Sequence, residues 1–358
     1  MTSPEIPLHQ LGWDDSWREQ FSACGREGAP GRVARVDRGL CSVLTGAGVV
    51  GASWGTELLD AVSADPLLAP CTGDWGVVRQ WPDGPTTLEA VLPRRTAVVR
   101  AEAAGTSMGQ LLAANVDVVA VVVALHPEPN FGRIERLLTL AWQSGAQPLV
   151  ALTKADLVKD ADLVADDVRA LAPGVAVVCC STVTGAGVDV VRRAMGADGT
   201  LALLGASGHG KSSLTNALVG AEVLAVRTIR DDGKGRHTTV RRELLTLPGG
   251  GSVIDTPGLR GVGLQDAGSG LAATFPDITA LAQRCRFADC THQHEPQCAV
   301  REAVETGELG VRRIESWRRL QREAHWMATR SDARLRRQQQ EQWKQLSKEH
   351  RTPRRARP

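Results

Sequence analysis

The stretch LALLGASGHGKSSLTNAL, residues 201–218, decides the fold. Gly205, Gly210, Lys211 and Ser212 fill the pattern G-x-x-x-x-G-K-[ST], and the apolar run Leu201 to Leu204 supplies the buried strand that feeds such a loop. Glycines at these positions let backbone N–H groups converge on an anion, and the helix that follows adds its positive N-terminal end. The segment Gly205, Ala206, Ser207, Gly208, His209, Gly210, Lys211, Ser212 and Ser213 is therefore expected to bind the phosphates of a nucleotide. Lys211 reaches the outer phosphates, and the Ser212 hydroxyl stands where Mg²⁺ is coordinated.

Three further pieces point to guanine. In VIDTPG, Asp255 ends an apolar strand and Gly258 follows three residues later. That spacing lets the carboxylate hold Mg²⁺ through water while the Gly258 amide senses a γ-phosphate. Upstream, Pro148 to Leu152 form a strand ending in Thr153, Lys154, Ala155 and Asp156. Asp156 can accept from both N1–H and N2–H₂ of guanine, with Lys154 over the ring; adenine offers no such donor pair, which weighs against an ATP-using P-loop enzyme. A third strand in VAVVCCSTVTGAG, residues 175–187, closes on Ser181 and a glycine-rich turn suited to place a backbone amide against guanine O6. Each tetrapeptide alone is weak, and TKAD alone reads as a helix entry, but four such pieces at the C-terminal ends of strands support one another.

Their order is rotated. A common GTPase runs phosphate loop, switch, DxxG, base reader and closing loop; here the base reader (153–156) and closing loop (181–187) precede the phosphate loop (205–212), switch region and DTPG (255–258). Domain termini usually lie close together, so a circular permutation is physically tolerable. It also leads the chain from DTPG directly into a C-terminal module.

Length and composition agree with a multidomain chain: 358 residues, 42% hydrophobic and 23% charged. No apolar run is long enough to span a bilayer and no signal-peptide pattern opens the sequence, so a cytoplasmic monomer with no membrane partner is expected. The net charge of +2 hides an asymmetry: residues 311–358 hold 15 Lys and Arg against five Asp and Glu, whereas the first 310 hold 27 against 35. The tail is the basic part.

The fold class expected is an N-terminal OB-like β-barrel, a central α/β circularly permuted P-loop GTPase domain and a C-terminal helical zinc-binding module. Residues 1–28, with Trp13 and Trp17, read as a loosely attached helical arm. Residues 29–105 read as short strands (GRVARVDRG, CSVLTGAGVVGAS, CTGDWGVVRQW, DGPTTLEAVL and RRTAVVRA) punctuated by Gly, Asp and Pro, which suggests the barrel. Such a barrel suits RNA, with Arg94 and Arg95 placed to touch phosphate; the alternative is a structural barrel with solvated arginines. Residues 106–275 make the GTPase domain, 276–350 the zinc-binding and basic helical module, and 351–358 a basic tail without the means to pack a core.

Eight cysteines in a chain of this length are not a disulfide framework. CRFADCTHQHEPQC instead places Cys285, Cys290, His292 and Cys298 as C-x₄-C-x-H-x₅-C, a set that closes one tetrahedral structural Zn²⁺ site with no open position; His294 is an alternative ligand. After it, Trp317, Trp326 and Trp343 stand among arginines on gly-poor helices, a face suited to phosphate backbones or else merely solvated.

Together these features resemble the bacterial ribosome small-subunit-dependent GTPase A family. Its most specific traces are LPRRT (92–96), ANVDVV (114–119), the permuted order, GRHTT (235–239) and CRFADCTHQHEPQCAV (285–300). The resemblance covers nearly the whole chain. It implies a GTPase that turns GTP into GDP and phosphate slowly, is stimulated by the small (30S) ribosomal subunit and its rRNA, and acts late in that subunit's maturation. A nucleotide-gated RNA-binding module with incidental hydrolysis is the alternative. The family usually has Asn where this chain has Thr153, and a small apolar residue where it has His209. Leu259, after DxxG, cannot orient water. By resemblance that task falls to His237, and the switch threonine on Mg²⁺ is Thr239, with Thr238 as the alternative.

Overall fold

The computed structural model describes residues 6–101, 109–220, 242–256, 263 and 268–331. Gly258, Leu259, His237, Thr238, Thr239, Trp343 and the segment 351–358 lie outside the described residues.

Five short strands close a barrel in the order β1-β2-β3-β5-β4: β1 (Ala29–Asp37), β2 (Leu40–Thr45), β3 (Gly48–Trp54), β4 (Trp75–Gln80) and β5 (Thr86–Val91). CSVLTGAGVVGAS supplies two of them, because Thr45 pairs with Gly48 across a tight hairpin. An irregularity between Val33 and Arg35 bends β1, the usual means by which a small barrel closes. Val33, Val43, Ala52 and Leu88 fill the interior, and α1 (Asp15–Cys24) and α2 (Thr56–Ala64) lie before β1 and between β3 and β4. RRTAVVRA does not join the barrel. Pairing of β1 with β4 has already closed it, so β6 (Ala97–Ala101) pairs instead with β7 (Gly109–Ala114) in a separate two-stranded sheet.

The arm is wedged, not loose. Leu11 and Trp17 are buried, and Trp13 meets the buried Trp75 edge-on with ring centroids 4.7 Å apart. Arg32 of β1, fully buried, donates to the carbonyls of Leu11 in the arm, Gly73 in the barrel and Asn115 ahead of the central sheet. Arg94 and Arg95 each pair with a carboxylate of the protein, Arg94 with a buried one and Arg95 with an exposed one, so Arg94 is committed to the fold and not to phosphate, whereas Arg95 stays at the surface. Arg94 donates to both carboxylate oxygens of buried Asp74 at 2.8 Å and to the carbonyls of Leu67 and Ala69. Arg95 pairs with Asp14 and covers the Trp17 ring.

The central sheet has six strands in the order β10-β9-β8-β11-β13-β12. β8 (Val118–Ala124), β9 (Gln147–Thr153), β10 (Ala176–Cys179), β11 (Thr200–Leu204) and β13 (Ser252–Asp255) are parallel; β12 (Glu243–Thr246) is antiparallel to β13 at the edge. Helices cover both faces: α3 (Phe131–Gln143), α4 (Ala161–Leu171), α5 (Val188–Ala194) and α6 (Lys211–Val219). The strands therefore read as unbroken apolar runs, as doubly covered parallel strands do. The period of two persists underneath. Val119, Val121 and Val123 of β8 pack with Ile134, Leu137 and Leu138 of α3, whereas Val118, Ala120 and Val122 pack on the opposite face with Leu214 and Leu218 of α6.

Beyond the sheet, α7 (Gly268–Thr274), α8 (Pro276–Ala282), α9 (Ala299–Glu305) and α10 (Val311–Ser331) form the C-terminal helices. Helix α10 is joined to α3 through charge. Fully buried Glu135 accepts from Arg312 and from Arg313, which also binds Asp277 and the carbonyls of Leu171 and Thr274.

Candidate functional site

Because β9, β10, β11 and β13 run parallel, the loops after them emerge at one edge of the sheet, where open α/β sheets hold their ligands. The rotated sequence order is thus undone in space. Gly205 leaves β11 so close to β8 that a Cβ there would lie 2.4 Å from the Val122 carbonyl oxygen, and only glycine fits. Gly210, at φ 83°, precedes α6, whose first turn carries Lys211, Ser212 and Ser213 with amides pointing out of the helix end.

Lys211 is buried, its ammonium donating to the carbonyls of Gly205 and Ala206 at 2.9 Å each. Burial lowers its pKa by more than Asp255 raises it, and the two carbonyls hold the amine at the loop. The Ser212 hydroxyl lies 3.4 Å from Asp255 Oδ2. This hydroxyl–carboxylate pair would suit a Mg²⁺ ion, which would neutralise phosphate charge there. Ser207 and Gly208 lie exposed at the loop's crest.

The segment Thr153–Asp156, expected from the sequence to read the base, continues directly from β9. Thr153 is buried and its hydroxyl donates to the His209 carbonyl at 2.7 Å, joining this segment to the phosphate loop. Lys154 adopts a left-handed conformation, φ 59°, before the one-turn helix Ala155–Leu157, and Asp156 is exposed there. The Ala155 amide donates to the Cys180 carbonyl at 3.2 Å, which fixes the base reader against the closing strand. Buried Ser181 accepts from the amides of Val183 and Thr184 at 3.2 Å, shaping the turn that Gly187 completes. At φ 73°, a Cβ on Gly187 would stand 2.1 Å from the Cys179 carbonyl oxygen. Burial pushes the Cys180 thiol up to about 12, so it packs as a neutral group.

Away from this edge, Cys285, Cys290, His292 and Cys298 gather with all four ligand atoms within 4.8 Å of one another. Cys285 Sγ lies 3.8 Å from Cys298 Sγ, and His292 Nδ1 lies 3.5 and 3.4 Å from these two sulfurs. Tetrahedral Zn²⁺ with Zn–S bonds of about 2.3 Å has S···S edges of about 3.8 Å, so the donors fit that ion. Burial opposes ionisation of Cys285, but the amides of Val300 and Ala299 at the start of α9 outweigh it and lower its pKa. Glu295 accepts from Thr291, Gln293 and His294 amides and shapes the turn that presents His292, whose φ is 59°. Behind the ligand, Trp317 lies 5.5 Å from the imidazole and Arg318 donates to the His292 carbonyl. His294 is not part of the cluster.

The profile of the RsgA GTPase family matches residues 91–265. The small ribosomal subunit biogenesis GTPase RsgA of Streptomyces coelicolor is 51% identical over 94% of this chain and 92% of its own length, and that of Streptomyces avermitilis 49% identical over 97% and 94%. The chain belongs to the RsgA GTPase family. Among solved structures, YjeQ from Thermotoga maritima is 26% identical, with a TM-score of 0.61 over 83% of this chain and 98% of its own. YloQ, described as a circularly permuted GTPase, shares the fold at 24% identity and a TM-score of 0.57, covering 84% and 96% of the two chains.

As a member of the RsgA GTPase family the chain is a GTP hydrolase, and GTPase chemistry in general runs with Mg²⁺. The family traces LPRRT and ANVDVV prove to be architectural: Arg95 N donates to Asn115 Oδ1 at 2.9 Å, Asn115 itself stands at φ 52°, and the Asp117 carboxylate accepts from the Thr200 amide at 2.7 Å. Beside the nucleotide edge, His209 is marked by the sequence as part of the loop, whereas Arg133 is not. The ring of His209 turns to β8, with Nδ1 3.2 Å from the Val122 carbonyl oxygen, and Arg133, in the first turn of α3, adds positive charge near both His209 and Lys211. Arg133 matches no motif, and only the asparagine cap at Asn130 marks the turn that carries it. No described helix is long and apolar enough to cross a membrane.

Proposed function

We propose that this chain is a cytoplasmic, monomeric GTPase of small-ribosomal-subunit maturation, which binds the 30S subunit and its rRNA and hydrolyses GTP when the subunit stimulates it. The observation that carries this reading is the convergence of base reader, closing loop, phosphate loop and Asp255 on one sheet edge in a chain whose relatives are named for that process. Thr153, Lys154, Ala155, Asp156 and Ser181 enclose guanine; Gly205 to Ser213 bind the phosphates, and Gly258 senses the γ-phosphate. Ser212, Asp255 and Thr239 hold Mg²⁺, which supplies charge neutralisation between the β- and γ-phosphates. Cys285, Cys290, His292 and Cys298 hold one structural Zn²⁺.

The domain plan in this proposal keeps the arm over 1–28, the permuted GTPase domain over 106–275, the zinc and basic helical module over 276–350 and the basic tail from 351, with the barrel beginning at 29 and its strands ending at Val91, short of the expected 105, because β6 pairs with β7. The excess of Lys and Arg after residue 311 supports contact between that module and rRNA phosphates. His237 orients the attacking water, since Leu259 has no group able to do so. GTP turnover measured with and without purified small subunits tests the proposal. Stimulation is expected, together with its loss by a factor on the order of 10²–10⁴ in His237→Ala at nearly unchanged GTP affinity. Turnover indifferent to the subunit overturns the reading in favour of an RNA-binding module with incidental hydrolysis. Stimulation that survives in His237→Ala within about threefold assigns water orientation to the subunit, as with a finger donated in trans.

A further inference from the structure

His209 occupies an unusual mechanical position. It lies between Gly208, at φ 82°, and Gly210, at φ 83°, two residues whose left-handed conformations impose no stiffness of their own on the loop. A segment so flanked can rock about the glycines and move the amides that must converge on phosphate. Two hydrogen bonds oppose that motion from opposite sides. The imidazole faces β8, where Nδ1, placed 3.2 Å from a carbonyl oxygen, must carry the proton and donate to Val122. The backbone carbonyl of the same residue faces β9 and accepts from Thr153 Oγ1 at 2.7 Å. The Thr153 hydroxyl has one proton and lies 3.4 Å from the Val123 carbonyl, so its stronger bond is to the loop. Burial holds the imidazole pKa down against the opposing effect of the Val122 hydrogen bond, and Arg133, Lys211 and Lys154 add to the lowering, so the ring braces the loop as a neutral donor.

We propose that His209 is a positioning residue for the phosphates, and that it and Thr153 act as one brace spanning β8 and β9. This inference rests on the reading of residues 205–213 as the phosphate loop. The threonine hydroxyl secures the loop by one bond, and the histidine ring supplies the second attachment. Because both bonds hold the same residue, either loss frees the same motion.

Affinity for a fluorescent GDP analogue, with KM and kcat for GTP, tests the brace in the full-length protein. Thr153→Val keeps the shape of the side chain and removes its proton; His209→Ala removes the ring. Each is expected to weaken GDP about tenfold, the usual scale for leaving one buried partner unsatisfied, with the loss falling on KM rather than kcat. Thr153→Ser keeps the hydroxyl, and His209→Asn places an amide nitrogen near the Nδ1 position; each should stay within about threefold of the parent. The double variant Thr153→Val with His209→Ala should bind only about ten- to thirtyfold more weakly than the parent. A loss near a hundredfold, the product of two independent effects, overturns the shared brace, as does unchanged affinity in either single variant or failure of Thr153→Ser to rescue. The nucleotide-free variants should melt slightly lower, since both bonds exist without nucleotide; a lower melting temperature with unchanged GDP affinity assigns the pair a role in folding and overturns the proposal. Lys211→Ala serves as the separate control. If it leaves GDP affinity unchanged, the phosphate-loop reading itself fails.

Discussion

Asp156 leaves the end of β9 through Lys154, whose φ of 59° turns the chain outward into the short helix Ala155–Leu157. The turn exposes the carboxylate at the sheet edge, while the Ala155 amide ties the segment to Cys180. Asp156→Asn is therefore expected to transfer preference from guanine toward xanthine, since an amide can donate to the O2 that replaces the exocyclic amine. Competition between GDP and XDP measures it, and unchanged GDP affinity contradicts the base-reader assignment. At this scale the sequence was most legible where a backbone had to do something unusual. Gly205, Gly187 and Gly210 announce close approach or left-handed turns, and the structure places them there. The hydrogen bond from His209 to Val122 was not legible, because it joins residues 87 positions apart through a main-chain oxygen that no side-chain pattern encodes. Arg94 misled for a related reason. An arginine in a polar turn looks solvent-bound until a folded chain sets Asp74 beneath it.

Among elements, α10 shows how a helix that looks like a basic surface can also be an anchor. Arg313 is almost wholly buried, and its guanidinium is shared between Glu135 of α3 and Asp277 of α8. Replacing Arg313 leaves the charge of buried Glu135 with only the half-exposed Arg312 opposite it. Arg313→Met should cost about 3–5 kcal/mol, and adding Glu135→Gln should recover part of it, by removing that charge. Denaturant unfolding of the single and double variants checks this; a loss below about 1 kcal/mol, typical of exposed pairs, would place the arginine in solvent. The charge count revealed the basic character of this helix, yet not which arginines face inward, since Arg312 and Arg313 are neighbours with different degrees of burial. Strands were read from apolar runs, and β9, β10, β11 and β13 emerged correctly because doubly covered strands are apolar throughout. β6 was assigned to the barrel because alternation fixes a strand's faces and not its partner.

For the molecule as a whole, the cluster of Cys285, Cys290, His292 and Cys298 and the sheet edge that carries the phosphate-loop motif are separate centres joined through packed helices. Trp317 and Arg318 of α10 contact His292, and Arg313, on the same helix, holds α3. Cys290→Ser should reduce bound zinc from one ion per chain to none, as metal analysis will measure, yet leave GDP affinity within about threefold because no donor of the cluster touches the phosphate loop. Protein purified without chelator and free of zinc would contradict the assignment. The rotated order was legible from motif positions alone, whereas the seating of the arm against Trp75 was not, for it depends on Arg32 gathering three carbonyls that lie far apart in the chain.

The same rotation governs how the sheet is assembled as the chain leaves the ribosome. β8, the strand that ends up between β9 and β11, is made first; β9 and β10 then extend the sheet on one side. Its other edge, VVAVVVA, waits for Thr200–Leu204. At about 5–20 residues per second the interval of some 75 residues lasts roughly 4–15 seconds. Throughout it, a fully apolar strand presents unpaired backbone to the surroundings, the configuration most open to pairing with a neighbouring nascent chain. Once β11 arrives, no later strand has to insert between two already paired. The β12–β13 hairpin simply docks on the new edge, so the most hazardous period of this protein's synthesis closes with the strand that leads into its phosphate loop.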